Sequence, residues 1–331
     1  MNIQQQFPGV HWIWGGGISA VYEVHPRIVV KVPKPEEFER EQFQKEIKIY
    51  EAFAQHPPCP FIVQCFLYTE NGIFLEYMRD VCLSLRIQYN HVRDQDTMVV
   101  TKVEKLEPIA LRERWMNDLA QAVAFLESLN LAHGDLRPEN ILLDRDRLKL
   151  SDFDCTAEFG ADFEACIAPY GRLLNSSEAD LGPRGSSGFL SPRTEQFALG
   201  SLYYLINYGF EVYGDRCLHE NPREHGPKVV ELMQDMEFPE LDGDPLIDGI
   251  IDKCWHNKYT TVAELAAQTD TLLAEGTNGE QNNVEEDTTE EPSWKRAFCQ
   301  DLEDRGLPRL LASDDPKQLG FKLGWYRYTT N

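Results

Sequence analysis

The stretch HGDLRPENILLD at residues 133–144 constrains this chain more than any other, because it joins polar residues to an apolar run. Asp135 is followed five residues later by Asn140, and a second apolar segment, LKLSDFD at 148–154, contains Asp152. Two such segments predict a short hairpin that presents carboxylates and an amide. A base and oxygen ligands in this pattern are typical of phosphoryl transfer, because the transferred group carries charge on its oxygens.

Before this motif, the sequence alternates between strand and helix patterns. Five runs rich in β-branched and aromatic residues predict strands at 10–14, 20–24, 27–32, 61–68 and 73–78. Between the third and the fourth run, Phe43, Ile47 and Tyr50 are spaced as one face of a helix over 36–54, with Glu46 on the flank of that face. We therefore expect an antiparallel sheet with one helix.

After the last of these strands the pattern becomes mainly helical. Residues 111–130 and 194–209 carry apolar side chains at helical spacing. The stretch 155–193 is punctuated by Gly, Ser and Pro, which predicts a long loop. Segment 275–292 has seven acids with no base and no aromatic residue, so it is predicted to be a disordered linker.

The C-terminal segment 293–331 is locally cationic in an acidic chain, with seven bases against five acids. It begins with a helix pattern that ends near Gly306 and carries one apolar stripe. We expect it to fold back on the body of the protein. The stripe residues and the expected aromatic anchors are Trp294, Phe298, Leu302, Trp325 and Tyr326.

Composition limits the partners and compartments that we expect. The chain has 32 Lys and Arg against 55 Asp and Glu, a net charge of -23, so no nucleic-acid partner is expected. No run approaches roughly 18 consecutive apolar residues, and the N-terminus has no basic segment followed by an apolar one, so we expect neither a membrane partner nor secretion. Eight cysteines without zinc-ligand spacing favour reduced thiols and a cytoplasmic or nuclear location.

Residues from about 8 to 270 resemble a eukaryotic protein kinase domain, because motifs of that family occur in order. The principal motifs are VVKV at 29–32, KEIKIYEAF at 45–53, HGDLRPEN at 133–140 and DFD at 152–154. Later segments resemble the substrate-docking loop, the central helix of the large lobe and a late helix pair, at 185–193, 195–200 and 252–265. A weaker resemblance is to kinase-like proteins of filamentous fungi.

The resemblance implies an α+β fold with two lobes. A small antiparallel β-rich lobe with one helix is expected at 1–79, and a larger, mainly helical lobe at 80–274. The acidic linker at 275–292 and a helical, aromatic tail at 293–331 follow.

The resemblance also implies that ATP and Mg²⁺ are the cofactors and that the partner is a protein substrate. Asp135 takes the position of the catalytic base, and Lys31 that of the lysine that holds the α- and β-phosphates. The catalytic residues are Asp135, Arg137, Lys31 and Glu46. The Mg²⁺ ligands are Asn140 and Asp152. The nucleotide contacts are Gly15, Gly16, Gly17, Val21, Val29, Lys31, Glu76, Met78 and Leu142.

Several positions depart from the family pattern. The segment WGGGISAVYEV at 14–24 matches the family's three glycines only in part, and Asp154 replaces the Gly after Asp-Phe. Arg193 stands where the family has a Glu, and Gly134 replaces the Arg next to the catalytic Asp. Because that Arg receives the activation-loop phosphate in the family, we expect activity that is insensitive to loop phosphorylation.

Three functions follow from these residues. DLRPEN and Ser186 favour a protein kinase that acts on Ser or Thr. The second function is that of a pseudokinase that serves as a binding module, and the presence of every principal catalytic residue opposes it. Small-molecule phosphotransferases of the aminoglycoside and choline kinase type share His-Gly-Asp with this chain, so Gly134 favours them, whereas Phe153 and the docking-loop motif oppose them.

Overall fold

The computed structural model describes residues 3–163, 168–276 and 292–324 of the chain. They form two compact units. The first contains the residues before Val81, the short segment Asp152–Asp154 and the C-terminal segment. The second contains Val81–Ser151 and the residues from Cys155 onward that precede the C-terminal segment.

The regular elements are numbered in chain order over the described residues. The helices are α1 Ile3–Gln6, α2 Glu37–Phe53, α3 Leu83–Gln88, α4 Ile109–Ser128, α5 Pro192–Tyr208, α6 His225–Gln234, α7 Pro245–Trp255, α8 Val262–Gly276, α9 Pro292–Asp304 and α10 Leu307–Leu311. The strands are β1 His11–Gly15, β2 Ser19–His25, β3 Ile28–Pro33, β4 Cys65–Thr69, β5 Gly72–Glu76, β6 His91–Arg93, β7 Val100–Val103, β8 Leu131–Ala132, β9 Ile141–Asp144, β10 Arg147–Leu150 and β11 Ala157–Glu158.

Strands β1 to β5 form one antiparallel sheet in the order β1-β2-β3-β5-β4, as the sequence predicts. The central strand β3 is buried along its whole length. Its register sets Lys31 opposite Val21 of β2 and Ile73 of β5. Because side chains alternate along a strand, Val30 and Val32 lie on one face of the sheet, while Val29 and Lys31 lie on the other.

The face that carries Val30 and Val32 is covered by the C-terminal segment. Leu302 of α9, with Leu307 and Leu311 of α10, joins these valines in one buried hydrophobic cluster. Complete burial of one such leucine is worth about 1.5–3 kcal/mol, so this cover contributes substantially to the stability of the unit. The expected anchors Trp325 and Tyr326 lie outside the described residues.

The second unit is built around α4 and α5. Helix α5 is buried over almost its whole length, from Arg193 to Asn207, as expected for the central helix of a helical unit. The antiparallel pair β9 and β10 is the hairpin that the sequence predicts, with Leu143 opposite Leu148. Among the described residues, no helix has both the length and the hydropathy needed to cross a membrane.

Some boundaries and elements differ from those predicted. Strand β4 begins at Cys65 rather than at residue 61, after a segment with three prolines that holds turns instead. The proposed docking motif at 185–193 runs into α5, because Pro192 is suited to the first turn of a helix. The sequence patterns do not predict several short elements, namely α1, α3, α6, α10, the β6–β7 hairpin and the β8–β11 pair.

Candidate active site

A buried ion-pair cluster occupies the face of the sheet opposite the C-terminal segment. Lys31 Nζ lies 2.6 Å from Glu46 Oε2 and 2.5 Å from Asp152 Oδ1. Glu46 comes from α2 and is completely buried, whereas its sequence position predicted only the flank of the apolar stripe. The structure therefore brings together three of the predicted site residues.

The charges of this cluster depend on one another. Burial lowers the pKa of Lys31, but the carboxylates of Asp152 and Glu46 outweigh burial, so the pKa lies above its usual value. Burial also raises the pKa of Glu46 to about 7, against the opposing effect of Lys31. The two directions conflict, since the first favours an ion pair and the second a neutral acid. We take the pair as ionised, because the 2.6 Å contact compensates a buried ammonium that would otherwise be costly.

Asp152 and its neighbours are positioned by backbone conformation and aromatic packing. Asp152 has a φ of +66°, which is uncommon for a residue other than glycine and often marks a functional site. The Phe153 ring packs edge-on against Phe53 and Tyr50 of α2, at centroid distances of 5.1 and 5.7 Å. Asp154, in place of the usual Gly, adds a further negative charge that raises the pKa of Lys31.

In the second unit, the predicted catalytic loop, HGDLRPEN at 133–140, holds Asp135, Arg137 and Asn140 together. Asn140 Nδ2 donates to Asp135 Oδ2 and to the Asp135 carbonyl oxygen, both at 2.9 Å. Arg137 Nε lies 3.3 Å from Asp135 Oδ2. Because these hydrogen bonds use the amide nitrogen of Asn140, they orient Oδ1, the type of atom that ligates Mg²⁺, away from Asp135.

A buried carboxylate supports this loop from α5. Glu195 Oε2 accepts a 2.7 Å hydrogen bond from the backbone N–H of His133, and Oε1 accepts a 3.5 Å bond from that of Gly134. Burial raises the pKa of Glu195 to about 7, although these bonds oppose the rise. The sequence predicts Glu195 at the start of the central helix but does not predict its contact with the loop. An acid in an otherwise apolar helix was the available indication.

Gly134 is required by the backbone. Its φ is +77°, and a Cβ atom at this position would lie 2.6 Å from the carbonyl oxygen of Cys155. In the sequence, Gly134 is notable for the arginine side chain that it lacks relative to the family. The structure adds a steric reason, which applies whatever the substrate is.

The predicted nucleotide residues are distributed over both units. Gly15 ends β1, and the Gly16 N–H donates to Ser19 O at 2.9 Å within the turn, so this amide is already used. Leu142 lies on β9 and forms an isolated bridge with Cys82 in the second unit. The remaining predicted contacts belong to the first unit: Gly17, Val21 on β2, Val29 on β3, Glu76 at the end of β5, and the buried Met78.

The segment before α5 is held by two arginines. Arg172 donates to both oxygens of Glu178, and Arg193 Nη2 donates to Ser187 O at 2.9 Å. Burial, reinforced by Arg172, lowers the pKa of Arg193 to about 10. The expected insensitivity to loop phosphorylation stays a prediction, and Arg193 is a cation that already contacts the backbone of Ser187.

The geometry defines the class of protein. A β-rich unit with a buried Lys-Glu pair and a helical unit with an Asp-Asn catalytic loop are features of kinase-type phosphotransferases. In agreement, the protein kinase domain family model matches residues 15–181, just over half of the chain. The chain belongs to the protein kinase domain family and has its two-lobed α+β fold, which confirms the resemblance found in the sequence.

Three relatives are similar to this chain over part of their own length. The probable serine/threonine-protein kinase gdt2 of Dictyostelium discoideum is 26% identical over 239 residues, which are 69% of this chain and 13% of that protein. MAP kinase-activated protein kinase 2 of Mus musculus is 26% identical over 203 residues, 59% of this chain and 48% of that protein. Serine/threonine-protein kinase SBK1 of Danio rerio is 35% identical over 107 residues. The chain thus spans no more than about half the length of these relatives.

Proposed function

We propose that this chain transfers the γ-phosphate of ATP to Ser or Thr residues of a protein substrate. The observation that carries the proposal is the buried Lys31–Glu46 pair, with 2.6 Å between Nζ and Oε2. A buried charge pair is costly to retain in place of apolar packing, so its presence supports a functional role for Lys31. The names of the relatives, which are serine/threonine-protein kinases, support the same substrate class.

The residues of the chain have distinct roles in this proposal. Lys31, oriented by Glu46, binds the α- and β-phosphates. Asp135 orients the attacking hydroxyl group and accepts its proton, while Arg137 contributes positive charge near the transferred group. Asp152 and Asn140 offer the oxygen donors that Mg²⁺ prefers and would hold it; the bound ion neutralises phosphate charge. The predicted glycine and apolar contacts with ATP belong to the same proposal.

The test is phosphoryl transfer from labelled ATP with Mg²⁺, using mixed proteins or small alcohols as acceptors. We expect label on protein Ser or Thr, and Asp135→Asn should reduce transfer by at least about 100-fold while ATP still binds. Asp146→Asn changes an exposed carboxylate in the same unit and is the control. Label on aminoglycosides or choline instead of proteins would support a small-molecule phosphotransferase.

A pseudokinase is the second candidate, favoured by the charge around Lys31. Asp152 and Asp154 both act on the lysine, and the former contacts it at 2.5 Å. Equal residual transfer by the wild type and Asp135→Asn would favour this alternative. Lys31→Met should then weaken ATP binding in a thermal-shift assay without any effect on transfer.

We also propose the domain limits 1–79, 80–274, 275–292 and 293–331, with the last segment docked on the small lobe. The support for docking is the apolar cluster that α9 and α10 share with the sheet. In addition, Arg40 Nη2 of α2 donates to Ala312 O at 3.0 Å, and the Phe321 ring packs against Tyr22 at 5.1 Å.

A further inference from the structure

A groove lies on the second unit between α7 and the segment that precedes this helix. Its volume is about 470 Å³, and Phe238, Gly249 and Asp252 are among the lining residues. The Phe238 ring stacks on Trp255, with 4.6 Å between centroids and an interplanar angle of 9°. Trp255 is buried and donates through Nε1 to Ser201 Oγ at 3.2 Å. The half-buried Phe238 is thereby supported from beneath and forms an apolar floor.

Carboxylates border this floor. Asp248 and Asp252 are four residues apart on α7, so they share one face of the helix. Tyr208 Oη donates to Asp248 at 2.9 Å and fixes it, whereas the Asp252 side chain is 59% exposed and contacts only His256 Nδ1, at 3.1 Å, among the ion pairs of the described residues. From Asp235 to Asp252 the sequence has seven acids and neither Lys nor Arg. The rim of the groove is therefore negative, since Asp248 and Asp252 line it within an acidic stretch of the chain.

Gly249 lines the groove one turn before Asp252 and leaves open space there. It lies inside α7, where glycine lowers helix stability relative to alanine. Its φ is outside the left-handed region, and an added Cβ atom would meet no atom within 4 Å. Neither backbone conformation nor packing among the described residues requires glycine here. A missing side chain instead allows another chain to approach the helix backbone closely.

We propose that this groove docks a segment of a partner protein that carries Lys or Arg next to an aromatic or leucine side chain. The apolar side chain packs on Phe238, the cation pairs with Asp252, and the backbone of the segment passes over Gly249. The aromatic floor favours an apolar side chain, and the negative rim favours a cation next to it. The acids also raise the association rate of cationic segments. The proposal concerns binding and does not depend on transfer activity.

The experiment selects peptides from a random twelve-residue display library on the immobilised full chain. The enriched peptides are then tested on Gly249→Gln, because that variant fills the groove. Gly226→Gln is the matched control, since Gly226 lies in α6 and an added Cβ there also meets no atom within 4 Å. Selected peptides are then measured by fluorescence anisotropy at low and high salt.

We expect the selected peptides to combine Lys or Arg with an aromatic residue or leucine. Gly249→Gln should weaken their binding by at least about 10-fold and Asp252→Asn by about 2- to 5-fold, with less binding at high salt. Gly226→Gln should bind as the wild type does. The proposal is overturned if no cationic, apolar class is enriched, or if Gly249→Gln and Gly226→Gln bind the peptides equally.

Discussion

Gly134 shows how a single residue can be fixed by backbone geometry rather than by chemistry. At a φ of +77°, a side chain pays a steric penalty even without neighbours, and here the Cys155 carbonyl oxygen occupies the space that Cβ would need. The cost of the positive φ and the cost of the clash with Cys155 can be measured separately. Gly160 has a φ of +92° in the same unit, but an added Cβ there meets no atom within 4 Å.

We therefore predict that Gly134→Ala lowers the free energy of unfolding by about 2–4 kcal/mol, whereas Gly160→Ala lowers it by about 1 kcal/mol. Urea unfolding of the full chain measures both values. Equal losses for the two variants would show that the contact with Cys155 is not a constraint. The comparison tests the steric reason for Gly134 independently of the phosphate receptor that this position lacks.

Glu195 is a second residue whose role depends on the local environment. With a pKa of about 7 in the folded protein and an ordinary value near 4.5, it retains a proton that the unfolded chain releases between these pH values. This raised pKa contributes stability that is fully present below about pH 4.5 and is lost as pH rises through about 7.

We predict that the wild type loses about 1–3 kcal/mol of stability relative to Glu195→Gln between about pH 5 and about pH 8. Because Gln does not titrate, the difference between the two proteins isolates this carboxyl group. Urea unfolding at both pH values measures it. A stability difference that does not change with pH would mean that Glu195 is ionised throughout.

At the scale of elements, regular periodicity made most of the fold predictable. The β-branched and aromatic runs of β2 and β3 and the helical spacing of apolar residues in α2 and α4 reflect burial, which the local sequence records directly. The hairpin β6–β7 and the short α10 lack such a pattern, because their positions depend on contacts with distant residues. For the same reason, the burial of Glu46 and the reach of Glu195 to the catalytic loop could not be read from spacing.

The C-terminal segment depends on one close approach between elements. A Cβ atom on Gly72 of β5 would lie 2.9 Å from Pro308 Cβ of α10 and 3.1 Å from Val30 Cγ2. Glycine at this strand position lets α10 lie against the sheet. Gly9 is a suitable comparison, because an added Cβ there meets no atom within 4 Å.

We predict that Gly72→Val loosens the C-terminal segment and costs about 1–3 kcal/mol of stability, while Gly9→Val has a smaller effect. An engineered protease site inserted between residues 284 and 285 allows the segment to be cut from the body. After cutting, a sizing column should retain the segment with the wild-type body and separate it from Gly72→Val. Release from the cut wild type would contradict the proposed docking.

At the scale of the whole molecule, net charge sets the response to salt. The excess of 23 negative charges creates repulsion that the folded state concentrates in a small volume. Salt screens this repulsion, since the screening length falls from about 30 Å at about 0.01 M to about 8 Å at about 0.15 M. Buried pairs such as Lys31–Glu46 are screened much less, so added salt removes more repulsion than attraction.

We therefore predict that the melting temperature rises by several degrees between about 0.01 and about 0.15 M NaCl and changes little at higher concentrations. Each kcal/mol of stability gained corresponds to about 2–4 °C. Scanning calorimetry without nucleotide measures the effect, and KCl at equal ionic strength is the control for specific ion binding. The two salts should coincide, because screening depends on ionic strength alone. A melting temperature that falls with salt would show that exposed ion pairs, such as Arg147–Asp144, outweigh the net repulsion.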